Sequence, residues 1–365
     1  MRVHYFDPQL GAVDGHYVTY DSAVVAELGR RGVAYSVYGA AERKAEEAEP
    51  FEVIPTFHRQ VFDEVGRDAA TWALENFAVL NEAFHADLAR LDPGQFEAGD
   101  IAFFPNILQN QIDGIRRWIL GLPEERRPAV VLKPSYPTNL LPYMNGRSNK
   151  DSTAVLFRFA VQRLVTDHPR AAICTDTEEM VEIFERMTSV RVALMPLPLG
   201  ISCAVQPSEP RDRLVCAYVG FGSAEKGFHR LPGVISQLTD LQPSLRFQIQ
   251  VHGGPEFCGP VEAELRAMDP DFVEVTSGAV DREAYLDLLR KADIVLLPYE
   301  PQMYAWASSG IFVEALSLGK VVIVPEGTWM SRQGARFEAG FQTVRDLSPE
   351  ALSSAVRLAV AQFAP

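Results

Sequence analysis

Residues 308–324 read SSGIFVEALSLGKVVIV, and the order of elements in this stretch decides the fold. Ser308, Ser309 and Gly310 open a short apolar helix, Gly319 closes it, and Lys320 leads directly into the β-branched run Val321 to Val324. A helix that stops at glycine and passes at once into a continuously apolar strand is one step of a parallel sheet covered on both faces. Glu314 is the only charge inside that helix. At helical spacing Gly310, Ile311, Ser317 and Leu318 flank it, so small residues leave room beside the carboxylate. A carboxylate in such a setting is either solvated, ion-paired or ready to accept hydrogen bonds from a ligand's hydroxyls.

The same alternation runs outward through the chain. Apolar runs occur at Leu214 to Val219, Phe247 to Val251, Phe272 to Val275 and Ile294 to Leu297, with helical stretches between them. The first half repeats the pattern at Val3 to Phe6, Tyr35 to Tyr38, Ile101 to Phe104, Val130 to Leu132, Ala172 to Thr175 and Val192 to Met195. Strand and helix in strict turn predict an α/β protein with parallel sheets. The helix after Thr177 opens with acids, and the last helix begins Ser348-Pro349-Glu350, where serine caps, proline fits the first turn and glutamate meets the positive end of the dipole.

A chain of 365 residues suits two domains of about 100–200 residues each. Pro196, Pro198, Pro207 and Pro210 concentrate near residue 200. The boundary is therefore expected there, with one Rossmann-like domain over 1–200 and another over 201–365. The 34 basic and 48 acidic residues leave a net charge of -14, which excludes a nucleic-acid binder held by a basic field. A small anionic ligand would need a few placed cations and backbone amides. Cys174, Cys203, Cys216 and Cys258 have no CxxC spacing and read as free thiols of a reducing cytoplasm. No run of about 18 apolar residues and no signal-like amino terminus is seen, so a cytoplasmic location is expected.

Three clusters carry candidate chemistry. Ser308, Ser309 and Gly310 stand where a helix start leaves N–H groups unsatisfied, which suits an anion; plain capping by the serines is the alternative. The turn Gly220-Phe221-Gly222-Ser223-Ala224-Glu225-Lys226-Gly227 follows a strand and brings Lys226 to its carboxyl edge, where an ammonium would neutralise phosphate. Its glycines at 220, 222 and 227 do not fit the GxGxxG dinucleotide spacing. Gly15 and His16 lie between the first strand and first helix, where glycine permits close approach of a ligand. The loop 133–150 is a candidate cleft wall past a strand end. Tyr304 and Trp306 are either stacking surfaces or core aromatics. Neither HExxH nor a Walker A sequence occurs, and Asp269-Pro270-Asp271 reads as a turn rather than a metal site.

Over residues 214–327 these pieces together resemble a retaining glycosyltransferase of the GT-B fold, similar to glycosyltransferase family 4 (glycosyl transferases group 1). The glycine turn with Lys226-Gly227, Gly278-Ala279-Val280 through Tyr285 to Asp293, Leu297-Pro298-Tyr299, and Ser309-Gly310 through Glu314 to Gly319-Lys320 arrive in the family's order. The resemblance implies two facing Rossmann-like domains with a cleft between them, the second holding a nucleotide-sugar. It implies that Lys226 contacts the diphosphate, Ser309 and Gly310 cradle it, Glu314 holds the ribose hydroxyls, and Val280 lies near the base. The donor set becomes Gly15, Gly220, Val280, Tyr304, Ser308, Ser309 and Gly310, with Lys226, Glu314 and His16 as the catalytic candidates.

The expected partners are a nucleoside diphosphate sugar and a saccharide or lipid-linked acceptor, the latter bringing peripheral contact with a membrane. No metal and no cofactor is expected. Three positions depart from the family. Phe221 stands where an arginine is frequent, Trp306 where a second glutamate is common, and Lys133-Pro134-Ser135-Tyr136 where a histidine usually follows a strand. The first two of these departures favour, as the alternative, a catalytically degenerate GT-B protein that binds a nucleotide or glycan without turnover.

Overall fold

The structure, a computed structural model, describes residues 1–11, 16–42, 51–65, 71–134, 136, 150–198, 212–337 and 339–363. Contacts divide the chain into two compact units, Met1–Gly200 and Ile201–Pro365. Most of the proline-rich junction, together with Gly15, Cys203 and nearly all of the loop 133–150, lies outside the described residues.

In the first unit β1 (Arg2–Phe6), α1 (His16–Arg30), β2 (Ala34–Ala40) and β3 (Val53–Phe57) are followed by α2 (Trp72–Leu88), β4 (Ile101–Ile107) and α3 (Gln109–Gly121). Then come β5 (Ala129–Pro134), α4 (Lys150–Asp167), β6 (Ala171–Thr175), α5 (Glu178–Thr188) and β7 (Val192–Leu194). The second unit contains β8 (Leu214–Tyr218), α6 (Leu231–Ser236), β9 (Leu245–Val251), α7 (Pro255–Arg266), β10 (Val273–Ser277) and α8 (Arg282–Lys291). It continues through β11 (Ile294–Leu296), α9 (Pro301–Tyr304), α10 (Gly310–Ser317), β12 (Val321–Pro325), α11 (Trp329–Arg336), β13 (Phe341–Val344) and α12 (Pro349–Gln362).

The seven strands of the first sheet run β3-β2-β1-β4-β5-β6-β7 and the six of the second β10-β9-β8-β11-β12-β13. Every pairing is parallel. Both sheets therefore place their first strand beside their fourth, the Rossmann order, with a topological switch point between β1 and β4 and another between β8 and β11. Ligands of such sheets gather beyond the carboxyl ends of the strands at that point.

Burial explains which strands the sequence reveals. Val215, Cys216, Ala217 and Tyr218 of β8 are all fully buried, because helices cover both faces. The two strands absent from the apolar-run reading, β3 and β13, are both at the end of a sheet. β3 carries Pro55, which an edge tolerates, and β13 carries Gln342 and Thr343, whose polarity breaks the apolar signal. Helix starts follow their caps: the Thr177 hydroxyl accepts the Met180 N–H at 3.1 Å, and the Ser348 hydroxyl accepts that of Ala351 at 3.2 Å. Helix α12 packs on α6, β12 and β13 within its own unit. Among the described residues no helix is long and apolar enough to cross a membrane.

Candidate functional site

The second unit assembles its candidate residues around the β8/β11 switch point. The turn after β8 is fixed at both ends by backbone that only glycine allows. Gly220 has φ +98, and a β-carbon on it would lie 2.6 Å from Cδ1 of Ile311, so the turn rests against the first turn of α10. Gly227 has φ +67, and its β-carbon would stand 2.1 Å from the carbonyl oxygen of Pro298, just past β11. Lys226 is thereby held at the switch point, its Nζ 5.9 Å from the centroid of the Tyr299 ring, within cation–π range. Its side chain is half-buried and, among the described residues, has no ion-pair partner. Burial pushes its ammonium below the ordinary lysine range, and Glu225 acts in the opposite direction.

Helix α10 begins at this same place. Ser309 is buried and caps it, its hydroxyl accepting the Phe312 N–H at 3.3 Å. The N–H groups of Gly310 and Ile311 have no intrahelical carbonyl to reach and remain for another acceptor. Gly310 is exposed, and a β-carbon built on it meets nothing within 4 Å. Ser308 is half-buried just ahead of the cap. Of the two alternatives in the sequence, capping is what Ser309 does here, and it engages one N–H of the first turn while those of Gly310 and Ile311 lie beyond its hydroxyl.

Glu314 lies one turn further along α10, only 8% exposed. It is ion-paired: Arg282 donates from Nη2 to Oε1 at 2.7 Å, and the Tyr285 hydroxyl donates to Oε2 at 2.6 Å. Both donors come from α8, and the Arg282 guanidinium lies 5.3 Å from the Tyr285 ring centroid. Burial, then the Glu314 charge, pushes the Tyr285 phenol well up, so it stays a proton donor. Neither Arg282 nor Tyr285 was legible as a partner, since they lie 32 and 29 residues from Glu314 in sequence. The signal that was available is the lone charge in an apolar helix, which demands a donor.

Val280 is half-buried in the loop before α8, two residues ahead of Arg282. Tyr304 is placed in the core instead, 8% exposed with its ring 4.5 Å from that of Tyr299, and Trp306 is buried at 7%. The core alternative describes the burial of both aromatics. Phe221, where the resemblance implies an arginine, is 47% exposed and meets the His252 ring edge-on at 5.4 Å. His16 opens α1 in the first unit. Two further family-like residues act as pins: the Asp293 carboxylate accepts the Val215 N–H at 2.8 Å, and Lys320 Nζ donates to the Arg290 carbonyl at 2.7 Å.

Asp269 accepts the Asp271 N–H at 2.9 Å, so Asp269-Pro270-Asp271 is a turn as read. Among the described residues no three His, Cys, Asp or Glu side chains are grouped as metal ligands. An open depression of about 740 Å³ lined by Asp212, Arg213, Asp240 and Asp271 lies at the amino ends of the strands, away from all of these groups.

The first unit carries a second buried polar group at its own switch point, which the sequence reading missed. Asp7, directly after β1, accepts from Asn106 Nδ2 of β4 at 2.6 Å and from the Gln9 N–H at 2.8 Å. Asp21 of α1 accepts from the Tyr5 hydroxyl at 2.5 Å. Both carboxyls are fully buried. Burial pushes both upward, and the charge of Asp7 pushes Asp21 further. Lys133, at the end of β5, is 3.6 Å from Asp176 and 5.0 Å from the Tyr20 ring centroid. An aspartate immediately past an apolar strand, and another at i-4 from buried Val25, were the available signals.

Two Rossmann-ordered parallel sheets in one chain define the GT-B fold, and the solved structures agree over nearly the whole length. α,α-Trehalose-phosphate synthase (UDP-forming) from Burkholderia xenovorans, solved with glucose-6-phosphate, superposes with a TM-score of 0.66 at 11% identity, covering 98% of this chain and 91% of that one. WaaG, a glycosyltransferase involved in lipopolysaccharide biosynthesis, matches with a TM-score of 0.62 at 15% identity, covering 99% and 91%. A putative UDP-N-acetylglucosamine 2-epimerase from Listeria monocytogenes matches with a TM-score of 0.56 at 13% identity, covering 99% and 88%. No family model and no curated protein matches the chain by sequence.

Proposed function

We propose that this protein is a retaining glycosyltransferase that moves a sugar from a nucleoside diphosphate donor to a hydroxyl of a saccharide or lipid-linked acceptor, in the cytoplasm and without a metal. The observation that carries the reading is the convergence of Lys226, the open start of α10 and the buried Glu314 on one switch point. Breaking a glycosyl phosphate bond leaves negative charge on the diphosphate. An ammonium with no ion-pair partner among the described residues and the N–H groups at the start of α10 would stabilise that charge as it develops. The bond from the anomeric carbon to phosphate oxygen breaks, the bond to the acceptor oxygen forms, and the acceptor's proton passes to the departing diphosphate. Lys226 and the α10 amides hold the leaving group through this step, and Glu314 holds the ribose. Among the fold relatives, a UDP-forming trehalose-phosphate synthase and a lipopolysaccharide glycosyltransferase support this class of donor and acceptor.

A second reading, a protein that binds a nucleotide or glycan without turnover, is favoured by two observations. An exposed Phe221 stands where the resemblance implies a cation for phosphate, and Glu314 already has a donor on each oxygen. Incubation with UDP-, GDP- and ADP-hexoses decides between them. Sustained release of nucleoside diphosphate, abolished by Lys226→Ala, supports transfer. Tight binding with no release supports the second reading, and conversion of the donor's sugar to its 2-epimer would overturn both.

A further inference from the structure

Glu314 is held on both carboxylate oxygens, each by a different donor. A carboxylate has about four lone-pair sites, two on each oxygen. Arg282 occupies one on Oε1 and Tyr285 one on Oε2, which leaves one free site on each oxygen. The two donors also fix the carboxylate's plane, since they approach different oxygens from residues one turn apart on α8. The side chain of a helical residue leans toward the amino end of its helix, here toward Gly310, where the space is open. The guanidinium is itself held, packed over the Tyr285 ring with its side chain about one-third exposed. One outward acceptor site on each of two adjacent oxygens matches a cis-diol, whose neighbouring hydroxyls donate one hydrogen bond apiece. A freely rotating glutamate would offer the same atoms but would lose rotamer freedom on binding.

We propose that Arg282 and Tyr285 are positioning residues that clamp Glu314 as a reader of the cis-diol of a ribonucleotide, and so set discrimination between ribose and 2′-deoxyribose. This rests on the reading of α10 as the nucleotide-sugar site. It assigns to α8 a role that the lone glutamate does not carry: without the clamp Glu314 still accepts hydrogen bonds, but no longer presents two sites at once.

The test is direct binding of a ribonucleoside diphosphate and its 2′-deoxy counterpart, with the same base, to wild type, Arg282→Ala, Arg282→Lys and Tyr285→Phe. Wild type is expected to prefer the ribonucleotide by about tenfold or more, as for loss of a hydrogen bond to a charged group. Tyr285→Phe, close to isosteric, and Arg282→Ala are expected to bring that ratio toward one while leaving the 2′-deoxy affinity unchanged, and Arg282→Lys to give an intermediate ratio. A ratio unchanged in both Tyr285→Phe and Arg282→Ala, with only thermal stability lowered, overturns the clamp and leaves the donor site standing. Failure of wild type to bind any nucleoside diphosphate, or binding indifferent to Lys226→Ala, overturns the donor-site reading and the clamp with it.

Discussion

Gly227 and Pro298 are in backbone contact that admits no side chain. One α-hydrogen of the glycine faces the proline carbonyl so closely that a β-carbon in its place would be 2.1 Å from the oxygen, at φ +67. This contact ties the turn carrying Lys226 to the segment after β11. Gly227→Ala must bear both the left-handed backbone and the collision, and is expected to destabilise by roughly 2–4 kcal/mol. Gly278→Ala, at φ +87 but with nothing within 4 Å of the new carbon, should cost only the backbone term of about 1–2 kcal/mol. Urea unfolding of the two variants measures the difference; equal losses would show that the Pro298 approach contributes nothing.

Lys226 is half-buried and, among the described residues, without an ion-pair partner, an arrangement that favours ligand binding at the expense of stability. Lys226→Met keeps the apolar stem and removes the charge. It is expected to abolish nucleoside diphosphate binding while raising stability by about 0.5–2 kcal/mol near neutral pH. Burial lowers the lysine's folded pKa, so the unfolded chain binds more protons at alkaline pH, and wild-type stability from this group rises as pH climbs through the lowered value. The gain in Lys226→Met should therefore shrink with increasing pH. Thermal melts of both proteins across neutral to alkaline pH read this directly.

The Asp7–Asp21 pair predicts an opposite slope in the first unit. Burial, then Asp7, raises the folded pKa of Asp21, so its contribution is fully present below the unfolded carboxyl range and is lost as pH rises toward the raised value. The slope is at most about 1.4 kcal/mol per pH unit for one proton. Asp21→Asn keeps an acceptor for the Tyr5 hydroxyl and supplies a permanent donor. Its stability relative to wild type should rise as pH climbs above the ordinary carboxyl range toward the raised value. Parallel melting curves over that window would show that the native pair holds no extra proton.

Open space over Gly310 is needed if a diphosphate sits at the start of α10. Gly310→Leu fills that space without a backbone conflict, because the residue is in the first helical position at negative φ and meets no neighbour. Stability is expected to stay within about 0.5 kcal/mol of wild type or to rise slightly, as for replacing glycine in a helix. Nucleoside diphosphate affinity should fall at least tenfold. Titration calorimetry on the folded variant checks it, and unchanged affinity would move the anion away from α10.

The central strands were legible because each is wrapped by helices and must be apolar throughout, as β8 is. The edge strands β7 and β10 were legible as well, whereas β3 and β13 were not, because Pro55 in one and Gln342 and Thr343 in the other interrupt the apolar run, which an edge tolerates. Lys226 and the start of α10 were legible for a similar reason, since glycine turns and helix caps act within a few residues. Arg282 and Tyr285 were not, because nothing local links α8 to Glu314.

The amino-acid sequence by itself determined the α/β alternation, the division near residue 200 and the short-range devices that shape the second unit: glycine where φ is positive, serine at the start of α10, a lone acid in an apolar helix. Only the tertiary structure decided what that acid touches, that Tyr304 belongs to the core, and that Asp7 and Asp21 share one buried place. Caps and turns are settled by neighbours along the chain, whereas the partner of a buried charge is whichever distant side chain the sheet order brings within hydrogen-bond reach.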